Sequence, residues 1–185
     1  MTLGGLLGEV VRQLDRAGVD WMLTGSLAST YYGEPRATLD IDIVIDPEPA
    51  NLERLVDGLL AASFYVDRDA AIEALIERRQ FNAVGPDATK VDFIIRRDRP
   101  FSVEEFGRRT RADLLGAAGF IATVEDMVIV KLEWAAATGS ERQLRDVSAM
   151  VRVAGGIDTA YVERWTDALG LRDAWHRIRD AEPSS

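Results

Sequence analysis

The chain has 185 residues, of which 47% are hydrophobic and 29% charged, a composition that excludes disordered and collagen-like classes. It contains no cysteine and one histidine, which excludes disulfides, zinc–thiolate and iron–sulfur sites, thiol nucleophiles and histidine-rich metal centres. The net charge of −9 argues against nonspecific binding of DNA over the whole surface. With no cysteine and a single histidine as ligands, any metal must be a hard, oxygen-bound ion, and we expect Mg²⁺.

The first half of the chain alternates helix and strand signals. Apolar residues at helical spacing predict a helix over residues 3–17, which ends at Gly18. This first segment is amphipathic, and no apolar run reaches the ~18 residues of a membrane span, so we expect a cytoplasmic protein without membrane contact. The further predicted elements are a strand at 21–24, a helix at 26–32, a strand at 39–45, helices at 47–62 and 69–78, and strands at 80–84 and 90–95 joined by a hairpin.

The second half is predicted to be helical from Thr123 to its end. Thr123 followed by Asp126 resembles a capping box that opens a helix to about residue 137. Further helices are predicted at 141–153, 158–169 and 171–178. We therefore predict an α+β (mixed α/β) fold with an α/β core over 1–118, a helical part over 119–180 and a disordered tail over 181–185.

Three aspartates form the most informative pattern. Asp40 and Asp42 alternate with isoleucines in LDIDIVI, so both side chains point to the same face of a strand and can hold one or two divalent cations. Asp92 lies in a second apolar strand, VDFII, and could join them as a third carboxylate. An isolated DxD more often faces solvent from an edge strand, and the second strand is what favours a metal site here.

A phosphate cradle is predicted upstream of these aspartates. Gly25 and Ser26 lie where a strand gives way to a helix, so backbone N–H groups and the serine hydroxyl are available to a phosphate. A phosphate cradle beside a carboxylate trio points to phosphoryl or nucleotidyl transfer.

The spacing of these residues resembles the DNA polymerase β-like nucleotidyltransferase superfamily. Gly25-Ser26, then Asp40 and Asp42, then Asp92 on a later strand match its pattern. The stretch Arg36-x-Thr38-x-Asp40-x-Asp42 and the later VEDMVIVKLEWA and RQLRDVSAMV look like the small prokaryotic branch that includes AbiEii-type toxins. The resemblance spans about residues 20–152.

The resemblance implies Mg²⁺-dependent transfer of a nucleoside monophosphate from a nucleoside triphosphate to an acceptor, with release of pyrophosphate. Carried over by position, Gly25, Ser26, Arg36 and Thr38 would bind the nucleotide. Asp40, Asp42 and Asp92 would hold the metals, and Asp92 would help to deprotonate the acceptor. Arg36 could also simply cap its loop. The chain is too short for a template-binding domain, so templated synthesis of DNA is not expected.

Lys131 and Asp146 form a second candidate pair. Lys131 shares a helical face with apolar residues, so we expect it to be partly buried and to need an anionic partner. That partner could be a substrate phosphate or Asp146 on the next helix, in which case the pair could be purely structural. In the toxin-like members the equivalent residues belong to the active site, which favours a catalytic role.

The acceptor is left open by the sequence. An arginine-rich stretch over residues 96–111 could contact the phosphates of an RNA, such as the 3′ end of a tRNA, or could be a solvated surface. An antitoxin protein would be a further partner if the chain is a toxin. The competing hypothesis is a catalytically idle nucleotide-binding or antitoxin-like module, which the presence of all three carboxylates disfavours. His176, Trp134, Trp165 and Trp175 are expected to be core or helix-packing residues.

Overall fold

Seven strands form one mixed sheet in the computed structural model, which describes residues 2–34 and 40–181. They are β1 (Asp20–Thr24), β2 (Ile41–Asp46), β3 (Tyr65–Val66), β4 (Gln80–Val84), β5 (Lys90–Ile95), β6 (Thr110–Leu114) and β7 (Ala117–Ile121). Their order is β3-β4-β5-β2-β1-β7-β6. The pairs β2–β5 and β1–β7 are parallel, and the other neighbours are antiparallel.

Nine helices accompany the sheet in the described residues, and the predicted α+β class is confirmed. They are α1 (Leu3–Ala17), α2 (Gly25–Tyr32), α3 (Pro49–Ala61), α4 (Arg68–Glu77), α5 (Pro100–Gly107), α6 (Val124–Thr138), α7 (Glu141–Val153), α8 (Thr159–Ala168) and α9 (Arg172–Ala181). By its contacts the chain divides into two compact units. The described part of the first unit is residues 2–27 and 40–122, and that of the second is 28–34 and 123–181. No helix among these residues is long and apolar enough to cross a membrane.

Local sequence signals explain where the first and sixth helices begin and end. Thr2 caps α1 by accepting a hydrogen bond from the Gly5 N–H at 3.1 Å, and Gly18 ends the helix with φ +68°. Thr123 caps α6 in the same way, since its Oγ1 accepts from the N–H of Asp126 at 3.3 Å. The Thr123 hydroxyl in turn donates to the Asp126 carboxylate at 2.6 Å. The predicted N-cap is therefore present, although the Asp126 carboxylate accepts from the Thr123 hydroxyl rather than from its backbone N–H as in a full capping box.

The segment over residues 96–122, which includes the arginine-rich stretch, contains three elements that the sequence pattern did not reveal, namely α5, β6 and β7. Arg109 holds them in place, because its guanidinium lies over the rings of Phe106 and Phe120, with centroid distances of 4.3 and 5.2 Å. The same side chain donates to the Phe106 carbonyl at 2.7 Å and to Asp20 at 3.0 Å. Arg109 is thus a packing residue of the first unit.

A ring of ion pairs fixes the far ends of β2 and β5. Arg96 contacts Asp46 at 2.8 Å and Asp98 at 3.2 Å. Arg78, which ends α4 in the left-handed conformation, contacts the same two carboxylates at 3.3 and 3.0 Å. Alternating charges satisfy one another in such a ring, so Arg96 is engaged within the fold.

Candidate active site

A row of polar side chains crosses the middle of the sheet. Thr24 of β1 pairs with Asp42 of β2, Asp42 pairs with Asp92 of β5, and Asp92 pairs with Asn82 of β4. Paired residues on neighbouring strands share a face of the sheet. On the opposite face β2 presents Ile41, Ile43 and Ile45, all of which are fully buried. Strand alternation therefore separates the apolar core from a line of groups that can do chemistry.

The first turn of α2 lies directly against Asp42. The Ser26 N–H is 3.4 Å from Asp42 Oδ2, a long hydrogen bond. Gly25 has φ +67°, and a Cβ placed on it would lie 2.0 Å from the same oxygen. Only glycine fits there, because any side chain would both strain the backbone and displace the carboxylate. The sequence predicted a phosphate at this helix N-terminus, and in the described structure the carboxylate of Asp42 lies beside it.

Ionising the carboxyl of Asp42 costs more free energy in the folded protein than in water. Burial raises the pKa of its carboxyl above the ordinary value of 3.8, while the Ser26 N–H opposes that rise. The negative charges of Asp92 and Asp40 raise the pKa further, and Lys90 lowers it. A cation would relieve this repulsion, as expected for carboxylates gathered around a metal.

Asp92 is buried and carries an ion pair with Lys90. Lys90 Nζ lies 2.9 Å from each carboxylate oxygen and donates its hydrogen bond to Oδ2. Oδ1 is fully buried and accepts no hydrogen bond from the described residues. The hydrogen bond to Asp92 raises the pKa of Lys90, and burial acts in the opposite direction. Lys90 had no assigned role in the sequence analysis, although its position two residues before Asp92 on one strand face could have indicated one.

The carboxylates fit a hard divalent cation as a partial site. In the part of the chain described here, no three or more acidic or histidine side chains form a ready-made metal site. Asp42 and Asp92 are neighbours on adjacent strands, and Asp40 is exposed just before β2. Mg²⁺ is commonly bound by one or two carboxylates together with waters and substrate phosphates. The buried Asp92 Oδ1 and the raised pKa of Asp42 suit such an ion.

Two of the predicted nucleotide-binding residues cannot be placed. Arg36 and Thr38 lie outside the described residues, as does Leu39 of the predicted second strand. Their proposed contacts with a phosphate stay predictions.

The second unit contains the predicted contact between Lys131 and Asp146. Lys131 Nζ on α6 donates to Asp146 Oδ2 and to Gln143 Oε1 on α7, both at 2.8 Å. The Lys131 side chain is only 4% exposed, and that of Asp146 is 17% exposed. Asp146 also lines a cavity of about 260 Å³ together with Ser29 and Arg145. The pair therefore joins two helices beside a small polar cavity.

Three other residues of this unit, one acidic and two aromatic, differ in their burial. Asp126 is completely buried, and its carboxylate accepts hydrogen bonds from the hydroxyls of Thr123 and Tyr161, each at 2.6 Å. Trp175 is buried as expected, whereas Trp134 is 55% exposed. Of the two predicted roles, core or helix packing, the core role is wrong for Trp134, because apolar neighbours in sequence do not fix which side of α6 a residue occupies.

Known proteins resemble this chain in structure and not in sequence. The sequence matches no protein-family model and no curated protein. Among solved structures, ANT(2'')-Ia in complex with adenylyl-2''-tobramycin aligns with a TM-score of 0.64 at 15% identity, covering 95% of this chain and 99% of that one. An antigenic nucleotidyltransferase-like protein from Paracoccidioides brasiliensis gives 0.57 at 17% identity, covering 98% and 94%. The lincosamide antibiotic adenylyltransferase LnuA, bound to lincomycin, gives 0.57 at 9% identity, covering 83% and 98%.

The chain has the nucleotidyltransferase fold. The match extends over nearly all of each chain, so the nucleotidyltransferase fold here includes both compact units. The fold expected from the resemblance to DNA polymerase β-like nucleotidyltransferases is thereby confirmed, and the AbiEii-like branch stays a prediction. With this fold, the carboxylate row and the Gly25-Ser26 turn are the features from which a function can be argued.

Proposed function

We propose that the protein is a Mg²⁺-dependent nucleotidyltransferase that moves a nucleoside monophosphate from a nucleoside triphosphate to an acceptor hydroxyl. The observation that carries this proposal is the contact between the Gly25-Ser26 turn and Asp42, with Asp92 in register beside it. A phosphate-binding helix start and two adjacent carboxylates are the groups that this reaction needs. The same proposal places the reaction in the cytoplasm.

Asp42 and Asp92 would hold the first Mg²⁺, with Asp40 completing a second site. Bound there with the triphosphate, the metal would supply charge neutralisation for the phosphates and for the leaving pyrophosphate. Asp40 is exposed before β2, which leaves its carboxylate room to approach a metal–nucleotide complex.

The chain's own residues orient the reactants and move one proton. The N–H groups at the start of α2 and the Ser26 hydroxyl would hold triphosphate oxygens. Asp92, whose Oδ1 is buried without a hydrogen bond, would take the proton of the acceptor hydroxyl. The acceptor oxygen then bonds to the α-phosphorus, the bond from the α-phosphorus to the bridging oxygen breaks, and pyrophosphate leaves with that electron pair.

We propose a small hydroxylated molecule as the acceptor. ANT(2'')-Ia and LnuA align along most of this chain. Their structures are complexes with adenylyl-2''-tobramycin and with lincomycin, respectively. The arginines predicted to contact RNA are partly engaged inside the first unit, since Arg96 and Arg109 pair with Asp46 and Asp20. A surface whose charges are already neutralised binds a polyanion weakly.

The second candidate is an AbiEii-like toxin that labels an RNA terminus and pairs with an antitoxin. The Lys131–Asp146 contact favours it, because the toxin-type resemblance singled out these two residues and they meet at 2.8 Å. The two candidates share the transfer chemistry and differ in the acceptor and in the antitoxin partner.

Labelling experiments test the proposal and separate the candidates. The protein is incubated with each α-³²P nucleoside triphosphate, Mg²⁺ and one of three acceptor pools: small polyols and aminoglycosides, total tRNA, or a protein extract. We expect label in the small-molecule pool, and none with Asp92→Asn or with chelator. Label in tRNA supports the second candidate, and Arg97→Ala/Arg111→Ala should then weaken labelling at moderate salt relative to a control that removes Arg16 and Arg142. Nucleotide binding without label in any pool would contradict both and support an idle module.

A further inference from the structure

Lys90 is a lysine beside the carboxylate row of the first unit. Only two of the chain's 22 basic residues are lysines, Lys90 and Lys131, and the others are arginines. Lys90 begins β5 and reaches back along the same face to Asp92, where its Nζ lies 2.9 Å from both carboxylate oxygens. Its charge thus occupies the carboxylate oxygens that a metal held by Asp92 would need.

The exposure of the two partners differs in a way that allows exchange. The Lys90 side chain is 44% exposed, whereas that of Asp92 is 12% exposed. The ammonium can therefore leave toward solvent while the carboxylate stays fixed in the sheet. An arginine would hold the carboxylate through two parallel hydrogen bonds, but a lysine is a single point charge on a flexible stem.

We infer that Lys90 is a displaceable counterion, which holds Asp92 in place before metal binding and competes with the first divalent cation for its carboxylate. This inference rests on the proposed function, because it assumes that Asp42 and Asp92 are metal ligands. Lys90 is a positioning residue in this role. Once displaced, its charge is available at the same face for a substrate phosphate.

The inference makes the metal affinity of the free protein depend on Lys90. A cation within a few ångströms of the site opposes the entry of a second cation by direct repulsion and by occupying the ligand oxygens. Neutralising it should tighten binding of Mn²⁺, used as a probe for Mg²⁺, by about tenfold. Replacing Lys90 by arginine, which keeps the charge and binds the carboxylate more firmly, should not tighten Mn²⁺ binding.

Mn²⁺ titration of the intact protein, followed by electron paramagnetic resonance without nucleotide, tests this directly. Lys90→Met and Lys90→Gln should each bind Mn²⁺ about tenfold more tightly than the wild type, and Lys90→Arg no more tightly than the wild type. Arg68→Met is the matched control, because it removes an exposed cation that pairs with Asp57 elsewhere in the same unit. It should leave the Mn²⁺ affinity unchanged, and Asp92→Asn should abolish binding.

The outcomes separate the inference from the function on which it rests. Equal or weaker Mn²⁺ binding by folded Lys90→Met and Lys90→Gln, with wild-type binding that still requires Asp92, overturns the role of Lys90 alone. An equal gain in Arg68→Met also overturns it, since net charge would then explain the effect. Absence of Mn²⁺ binding in every variant, with and without ATP, overturns the metal-dependent function as well.

Discussion

The two lysine–aspartate pairs of this protein have the same chemistry and similarly buried aspartates, and they differ in the exposure of their lysines. Lys90 and Asp92 lie on one strand, and the lysine is almost half exposed. Lys131 and Asp146 join two helices, and the lysine is 4% exposed with a second hydrogen bond to Gln143. An exposed lysine loses little solvation on pairing, whereas a buried one depends on its partners for all of it. The first pair is therefore built to exchange partners and the second to persist.

This contrast assigns different consequences to similar substitutions. Breaking the Lys90–Asp92 pair should change ligand binding and chemistry with little effect on folding. Breaking the Lys131–Asp146 pair should change the free energy of unfolding first, whatever it does to catalysis.

The largest effect is expected at Asp92. Asp92→Asn removes both a metal ligand and the proposed proton acceptor, so the rate of transfer should fall by about 10²- to 10⁴-fold. Steady-state release of pyrophosphate measures it. Asp57→Asn, which removes an exposed carboxylate from α3, is the control and should retain wild-type activity. A folded Asp92→Asn protein with near wild-type turnover would contradict the assignment.

Measuring the free energy of unfolding tests whether the two lysine–aspartate pairs differ. Lys131→Met removes a buried ammonium that donates hydrogen bonds to both Asp146 and Gln143, and it should lower the free energy of unfolding by about 3 kcal/mol. Lys90→Met should cost no more than about 1 kcal/mol. Urea denaturation of both variants and the wild type decides the matter. Equal losses would show that exposure does not distinguish the pairs.

The sequence predicted most elements because local patterns determine them. Alternation predicted the strands that contain Asp42 and Asp92, and Gly18 and Thr123 marked helix ends correctly. The elements between Arg96 and Ala122 were missed because they depend on long-range contacts, such as that of Arg109 with Asp20. An arginine-rich stretch was therefore interpreted as a surface.

The least predictable parts of the site are contacts between distant segments. The need for glycine at Gly25 arises from Asp42, which lies seventeen positions later in the sequence and pairs with Thr24 across β1 and β2. The role of Lys90 depends on its distance from Asp92 oxygens, which alternation alone does not give. The structure adds the register between strands, which the sequence motifs do not contain.

A smaller effect is expected from Gly25→Ala. The new Cβ would lie 2.0 Å from Asp42 Oδ2 in a backbone at φ +67°, and strain of this kind costs about 1–3 kcal/mol. Because the carboxylate must move, affinity for MgATP should fall together with stability. Calorimetry and thermal unfolding measure the two. Gly116→Ala, also at positive φ but with open space around it, is the matched control and should reduce stability alone.

The smallest effect is expected in the pH dependence of stability, through Asp42, which lies beside the Lys90–Asp92 pair. Burial and the nearby carboxylates raise the pKa of Asp42 above 3.8 in the folded protein, so the native state binds its proton at a higher pH than the unfolded chain does. Asp42 therefore lowers stability at neutral pH, and that penalty is relieved as the pH falls through its raised pKa. Asp42→Asn should be more stable than the wild type at neutral pH.

The difference between Asp42→Asn and the wild type should narrow toward acid and stop changing below the ordinary carboxyl pKa of 3.8. Denaturation of both proteins in urea from neutral pH to about pH 4 measures that difference, and titrating groups that do not interact with Asp42 cancel in the comparison. Lys90→Met should enlarge the dependence, because Lys90 lowers the pKa of Asp42. A difference that is constant with pH, or an Asp42→Asn variant less stable than the wild type at neutral pH, would show that Asp42 carries no charging penalty and that a cation has no repulsion to relieve there.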